Sequence, residues 1–167
     1  MSFDDGRDGR FMQRALALAR RGAFRDEVPV GAVWVSDDVG IAAGLNCKEY
    51  RPDPTAHAEM EALRRAARKR NSWRLGGTLY VTLEPCPMCV GALVSARIRR
   101  LVFGAADPKF GACGSLLDLP GIPRLNHRVT VAGGLMAEAS SRLLRDFFKQ
   151  RRQKGNPERW PSPVEGV

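Results

Sequence analysis

The chain is poor in the residues that bind metals: 167 residues contain two histidines and four cysteines. Four thiols are too few for the disulfide framework of a small secreted domain. No apolar run approaches the roughly 20 residues that cross a bilayer. The opening MSFDDGRDGR has no apolar leader region, so a cytoplasmic protein is expected. There is no internal repeat and no low-complexity stretch, which argues against a solenoid. Acids are also scarce relative to bases, 18 against 27, leaving a net charge of +9. Such an imbalance favours a polyanionic partner. The bases crowd into Arg64–Arg70, Arg97–Arg100 and Arg142–Lys154. The length suits one domain around one core. Residues 1–155 are expected to form it, with the Pro-containing 156–167 as a flexible tail.

Hydrophobic periodicity orders the elements. Phe11–Arg21 reads as a helix with Phe11, Ala15, Leu18 and Ala19 on one side. Val30–Val35 is a strand apolar on both faces. Ile41–Leu45 returns beside it after the Asp37-Asp38-Val39-Gly40 turn. Cys47–Thr55 is a loop. Ala56–Lys69 reads as a helix capped by Thr55, with Met60, Leu63 and Ala67 inward. Thr78–Leu83 is a strand, Cys86–Ala96 a helix, Arg100–Gly104 a strand. Ala105–Asn126 is a long connection with one short helix at Ser115–Leu119; a link this long is often functional. Val129–Ala132 is the last strand. A final helix runs to about Arg152, with Leu135, Ala139, Leu143 and Phe147 along its seam. The order αββαβαββα predicts an α/β fold: a three-layer α/β/α domain around a five-stranded mixed sheet. The first two strands form an antiparallel hairpin, and the later ones run parallel through crossovers.

Chemistry concentrates in two short segments, His57-Ala58-Glu59 and Pro85-Cys86-Pro87-Met88-Cys89. Cys86 and Cys89 lie three apart at a helix start, so they share a face. A helix N-terminus favours thiolate over thiol. One imidazole and two thiolates suit zinc and leave its fourth position for water, which loses a proton near neutrality. Glu59, two residues from His57, reads as a proton shuttle rather than a ligand. That inventory fits hydrolytic removal of an amino group from a nucleobase. Two other readings of the thiols stay open. Cys-x-x-Cys alone can be redox-active, and Cys47, Cys113 or His127 could close a structural zinc site.

From about Phe11 to Arg152 the chain resembles the bacterial tRNA-specific adenosine deaminases of the cytidine deaminase-like superfamily. The resemblance rests on Pro29–Val33, Asn46, Asp53–Glu59, Thr78–Cys89, Gly104-Ala105, Asp107, Lys109, Gly111-Ala112, Gly114–Leu116, Asn126–Val129 and Asp146–Phe148 before Arg151-Arg152. It implies a cytidine deaminase-like fold and a homodimer converting adenosine to inosine at the wobble position of a tRNA anticodon. It implies one zinc per subunit on His57, Cys86 and Cys89, with Glu59 as general acid and base. It further implies that Asn46 bonds the flipped nucleotide, and that Val30 and the backbone near Ala58 and Glu84 line the base pocket. Asp107, Lys109 and the final helix, with Phe148, Arg151 and Arg152, would hold anticodon bases and phosphates of the stem-loop. Cys47 stands where relatives often carry Arg, so that phosphate contact is missing or passes to Lys48 or Arg51. His127 has a plain structural reading as a hydrogen-bonding residue. Two other functions compete: a deaminase of free guanine or cytosine, and a zinc-stabilised RNA-binding module without catalysis.

Overall fold

In the computed structural model, which describes residues 3, 4, 6–37 and 40–154, α1 (Arg7–Ala23) leads into the hairpin β1 (Gly31–Ser36) and β2 (Gly40–Leu45). Then follow α2 (Ala58–Arg70), β3 (Thr78–Leu83), α3 (Pro87–Ser95), β4 (Arg100–Ala105), β5 (Thr130–Gly133) and α4 (Ala137–Gln153). Asp38 and Val39 of the expected hairpin turn, the tail and Trp160 lie outside the described residues. The five strands form one sheet in the order β2-β1-β3-β4-β5. β1 is antiparallel to both β2 and β3, while β3, β4 and β5 are parallel.

Burial on both faces makes three layers. One face carries Ala32, Trp34, Ala42, Leu79, Val81 and Leu101 against α2 and α3. The other carries Val33, Val35, Tyr80 and Val102 against Phe11, Met12 and Ala15 of α1. All six residues of β1 are buried, which explains its continuous apolar run. α4 packs beside α1 over β4. Gly44 brings α2 unusually close: a Cβ there would lie 2.3 Å from the Ala58 carbonyl oxygen. Backbone contact at that point fixes where α2 begins.

Several sequence expectations change. Thr55 does not cap α2. Its amide and hydroxyl turn to Asp53 Oδ1 at 2.8 and 2.7 Å, and His57 takes the capping position in extended conformation. The inward face of α2 carries Glu59, Ala62, Leu63 and Ala66 and also Glu61, while Met60 and Ala67 are only partly covered. Glu61 draws in Arg51, Arg64 and Arg65, so part of the basic cluster on α2 is neutralised within the fold. On α4 the buried stripe runs through Ser140 and Phe147, leaving Ala139 exposed. Finally, Ser115–Leu119 is not a helix. The segment forms an isolated bridge between Cys113 and Asp118, with Gly114 at φ +128°, and its amides point to a buried carboxylate.

α1 starts four residues earlier than its apolar periodicity indicated, because a polar interaction anchors its first turn. Asp8 is fully enclosed and accepts from Tyr80 Oη at 2.7 Å and from both terminal nitrogens of Arg100 at 2.7 Å. The Arg100 guanidinium holds the Asp8 carboxyl at about 2, against 3.8 for an ordinary aspartate. A carboxyl depressed in the folded state stabilises fully above its unfolded pKa, and that contribution is lost as pH falls through about 2. We expect Asp8→Asn to lower the unfolding free energy at pH 7 by about 2 kcal/mol. The gap should shrink between roughly pH 4 and pH 2 in acid denaturation followed by circular dichroism. A pH-independent gap would remove Asp8 from this role.

Candidate active site

Sheet topology brings the chemistry to one edge. β3 and β4 both end there, and β1, running the other way, begins there. Asn46, just past β2, donates its amide to Val30 O at 3.1 Å, so that loop returns to the same edge. The carboxyl ends of parallel strands are where open α/β sheets bind ligands. Here they meet the N-termini of α2 and α3. His57 caps α2 and Cys86 caps α3, both with extended backbone. Pro87 occupies the first turn of α3, where no helical amide partner is lost.

The three donor atoms converge. His57 Nδ1 lies 3.6 Å from Cys86 Sγ and 3.5 Å from Cys89 Sγ. Metal bonds of about 2.0 Å to nitrogen and 2.3 Å to sulfur in a tetrahedron require an N···S edge of roughly 3.6 Å. The triad therefore fits a divalent ion of those dimensions. Hydrogen bonds from Cys89 and His57 bring the Cys86 thiol down to about 4. The same hydrogen bond between the two sulfurs, with burial, pushes the Cys89 thiol up, and a metal would take both sulfurs as thiolates.

Among the described residues no further histidine, cysteine or acid joins this group. Cys47 donates to Leu45 O, Cys113 lies beside Glu84, and His127 Nε2 pairs with Ile98 O at 2.7 Å. The closed site built from any of these is not formed. Glu59 sits in the first turn of α2, 4% exposed, on the wall of the same pocket. Burial raises its pKa, so it holds a proton more readily than a surface glutamate. Because His57 is the cap and not a helical residue, the two-residue spacing no longer turns the pair apart.

The pocket of about 530 Å³ is walled by His57, Ala58, Glu59, Cys86, Val30, Asn46, Leu83 and Glu84, with Lys48, Asp107 and Phe110 also facing it. Lys109 is exposed on the same loop; Phe148, Arg151 and Arg152 of α4 are not on the pocket wall. Arg51, one candidate to replace a missing arginine, pairs with Glu61, so Lys48 is the cation at the pocket. Arg151 is only 14% exposed, pairs with Asp26 at 2.5 Å and lies over the Phe147 ring. Phe147 is buried and Phe148 half-buried, meeting edge to face.

Two buried carboxylates shape the rim: Glu84, named above for its backbone, and Glu27, which the motif reading overlooked. Glu84 accepts from the amides of Asp107, Cys113 and Ser115 at 2.8–3.1 Å and from the Ser115 hydroxyl. Burial alone would raise its pKa, but these donors hold it below the usual carboxylate range. Glu27 accepts from Asn46 Nδ2 at 3.0 Å and from the Glu49 and Tyr50 amides at 3.0 and 2.7 Å. Glu84 was expected only as pocket backbone. Nothing in the sequence distinguishes Glu27 from a surface acid before a strand.

The MafB19-like deaminase family model matches residues 7–152. A tRNA-specific adenosine deaminase from Haemophilus influenzae is 46% identical over 149 residues, 88% of this chain and 86% of that protein. A solved structure from a study of A-to-I editing by tRNA:A34 deaminases at the wobble position of transfer RNA superposes with TM-score 0.78 at 45% identity. It covers 81% of this chain and 99% of its own. A guanine deaminase from Nitrosomonas europaea matches at TM-score 0.71 and 29% identity, over 82% of each chain.

Replacing His57, Cys86 or Cys89 by alanine should abolish stoichiometric metal in elemental analysis of the purified protein. Alanine at Cys47, Cys113 or His127 should leave it intact. Metal loss in any of the second group would mean a closed, structural centre.

Proposed function

This chain belongs to the tRNA-specific adenosine deaminase family, and we propose that it hydrolyses adenosine to inosine at the wobble position of a tRNA anticodon, using zinc. The deamination chemistry rests on one pocket lined by His57, Cys86 and the buried Glu59, with Cys89 beneath, and the tRNA substrate on the 46% identity to a tRNA-specific adenosine deaminase against 29% to a guanine deaminase. His57, Cys86 and Cys89 would hold the zinc, which when bound would supply an activated water as nucleophile. The chain's own residues do the rest. Water adds its oxygen to C6 of the base and ammonia leaves, so protons must move from water to ring and then to the departing amine. We assign to Glu59 the transfer of the first water proton to N1 and then of the second, from the hydroxyl added at C6, to the amine, so that ammonia leaves and inosine keeps its N1–H. Its burial strengthens both electrostatics and proton affinity there.

Val30 and Ala58 offer the base an apolar wall, while Asn46, braced by Glu27, offers hydrogen bonds. Asp107 and Lys109 on one side, and Phe148, Arg151 and Arg152 on α4, are assigned to the anticodon stem-loop. Single-stranded RNA is read by base stacking and edge contacts, while phosphates supply affinity. Arg151 enters this set only in competition with Asp26. The protein is assigned to the cytoplasm as a homodimer, for which the exposed Leu116, Leu117 and Ile122 of the 105–126 connection offer apolar surface. No helix among the described residues is long and apolar enough to cross a membrane.

The deciding assay offers the purified protein an anticodon stem-loop RNA, free adenosine, guanine and cytosine. Inosine in the RNA alone is expected; turnover of guanine or cytosine alone would make this a metabolic deaminase. Glu59→Ala should keep zinc and RNA affinity while losing roughly 10²–10⁴-fold in kcat. Zinc loss in that variant would make Glu59 structural. Salt titrations separate the cations of α4. Arg152→Ala should flatten the slope of log K against log salt by about 0.7, the value for one single-strand phosphate contact. Arg151→Ala should change it less and lower the melting temperature instead. Equal slope changes would put both guanidinium groups on phosphates.

A further inference from the structure

Among the described residues on the pocket wall, Phe110 is the large hydrophobic side chain left in solvent, 63% exposed. Its position is not that of a loose loop. The Lys109 and Phe110 amides donate to Asp107 Oδ1 at 3.0 and 3.1 Å, and the Gly111 amide donates to Asp107 O at 2.8 Å. The Asp107 amide in turn donates to Glu84 at 3.0 Å. A Cβ on Gly111 would lie 2.4 Å from Glu84 Oε2, so the turn is pressed against that carboxylate. The ring is carried on a backbone already fixed, so little loop entropy is lost when something lands on it.

The occupant follows from what surrounds the ring. The reacting groups and the apolar wall of Val30, Ala58 and Leu83 take up the pocket itself, whose 530 Å³ suits one nucleoside. Lys109 stands exposed beside Phe110, Lys48 lies on the same pocket, and the chain carries a net charge of +9. A flat apolar face at a cationic rim matches a nucleobase on an anionic backbone. We infer that Phe110 is a stacking platform for an unpaired base immediately flanking the target adenosine. This rests on the RNA-editing reading above, and it adds a residue that selects strand over free nucleoside.

The test uses the full-length zinc protein and an anticodon stem-loop RNA, comparing wild type, Phe110→Ala and Phe110→Trp. Phe110→Ala should raise KM roughly fivefold to a hundredfold, the range of one lost base–aromatic stack, with kcat little changed. Phe110→Trp should restore KM. Zinc content and melting temperature should match the wild type, since the ring is exposed. The same comparison is then run with the 5′ or the 3′ neighbour of the target made abasic. In one of these RNAs the wild type and Phe110→Ala should become equal, because the stacked base is gone. An Ala effect that persists in both abasic RNAs would place the ring on the target itself and overturn the inference. So would an unchanged KM in Phe110→Ala. A wild type that edits no RNA would sink the editing reading and this inference together, and that outcome is visible before any variant is compared.

Discussion

Two helices begin at one point, and the rest of the site depends on it. α2 and α3 come from different crossovers, yet the caps His57 and Cys86 bring Nδ1 and Sγ within 3.6 Å. β1 starts where β3 and β4 end, so the segments entering both helices reach the same edge. Gly44 lets the first turn of α2 press on the hairpin backbone, which fixes the depth of His57 and Glu59. Two helix dipoles then point at the donor set and favour its thiolates. Without that convergence His57, Glu59, Cys86 and Cys89 would be four unrelated side chains.

Around this centre the fold uses buried acids as brackets. Asp8 ties α1 to β3 and β4 through Tyr80 and Arg100. Glu27 holds the loop after β2, and Glu84 gathers the long connection after β4. Each is enclosed and each is fully engaged, which is the condition under which a buried carboxylate is tolerated. The consequence is functional: both rims of the pocket are irregular backbone, yet both are held by charge-assisted hydrogen bonds. Loops of this kind can present Asn46, Asp107 and Phe110 in fixed positions without belonging to a helix or strand.

How much was legible in the sequence depended on range. Strands whose apolar runs are buried on both faces, such as Val30–Val35, could be read directly, and so could the donor set, because residue type and spacing carry its chemistry. The antiparallel first hairpin and the parallel later strands followed from the connections between them. What stayed hidden was long-range polar pairing. Glu61, Glu27 and Asp8 look like surface acids until the fold supplies Arg51, the Tyr50 amide and Arg100. The supposed helix at Ser115–Leu119 failed for the same reason, since local propensity lost to the pull of Glu84 on the Cys113 and Ser115 amides. Arg151 also shows the limit of counting charge. A basic run at the end of α4 signalled RNA, but one of its guanidinium groups already has Asp26.

The central claim is a metal centre with three protein donors and one position left to solvent, and X-ray absorption at the zinc edge of the loaded protein tests it most directly. The account predicts two sulfur scatterers at about 2.3 Å and two nitrogen or oxygen scatterers at about 2.0 Å, with the multiple scattering of a single imidazole. A third sulfur or a second imidazole in the first shell would contradict it.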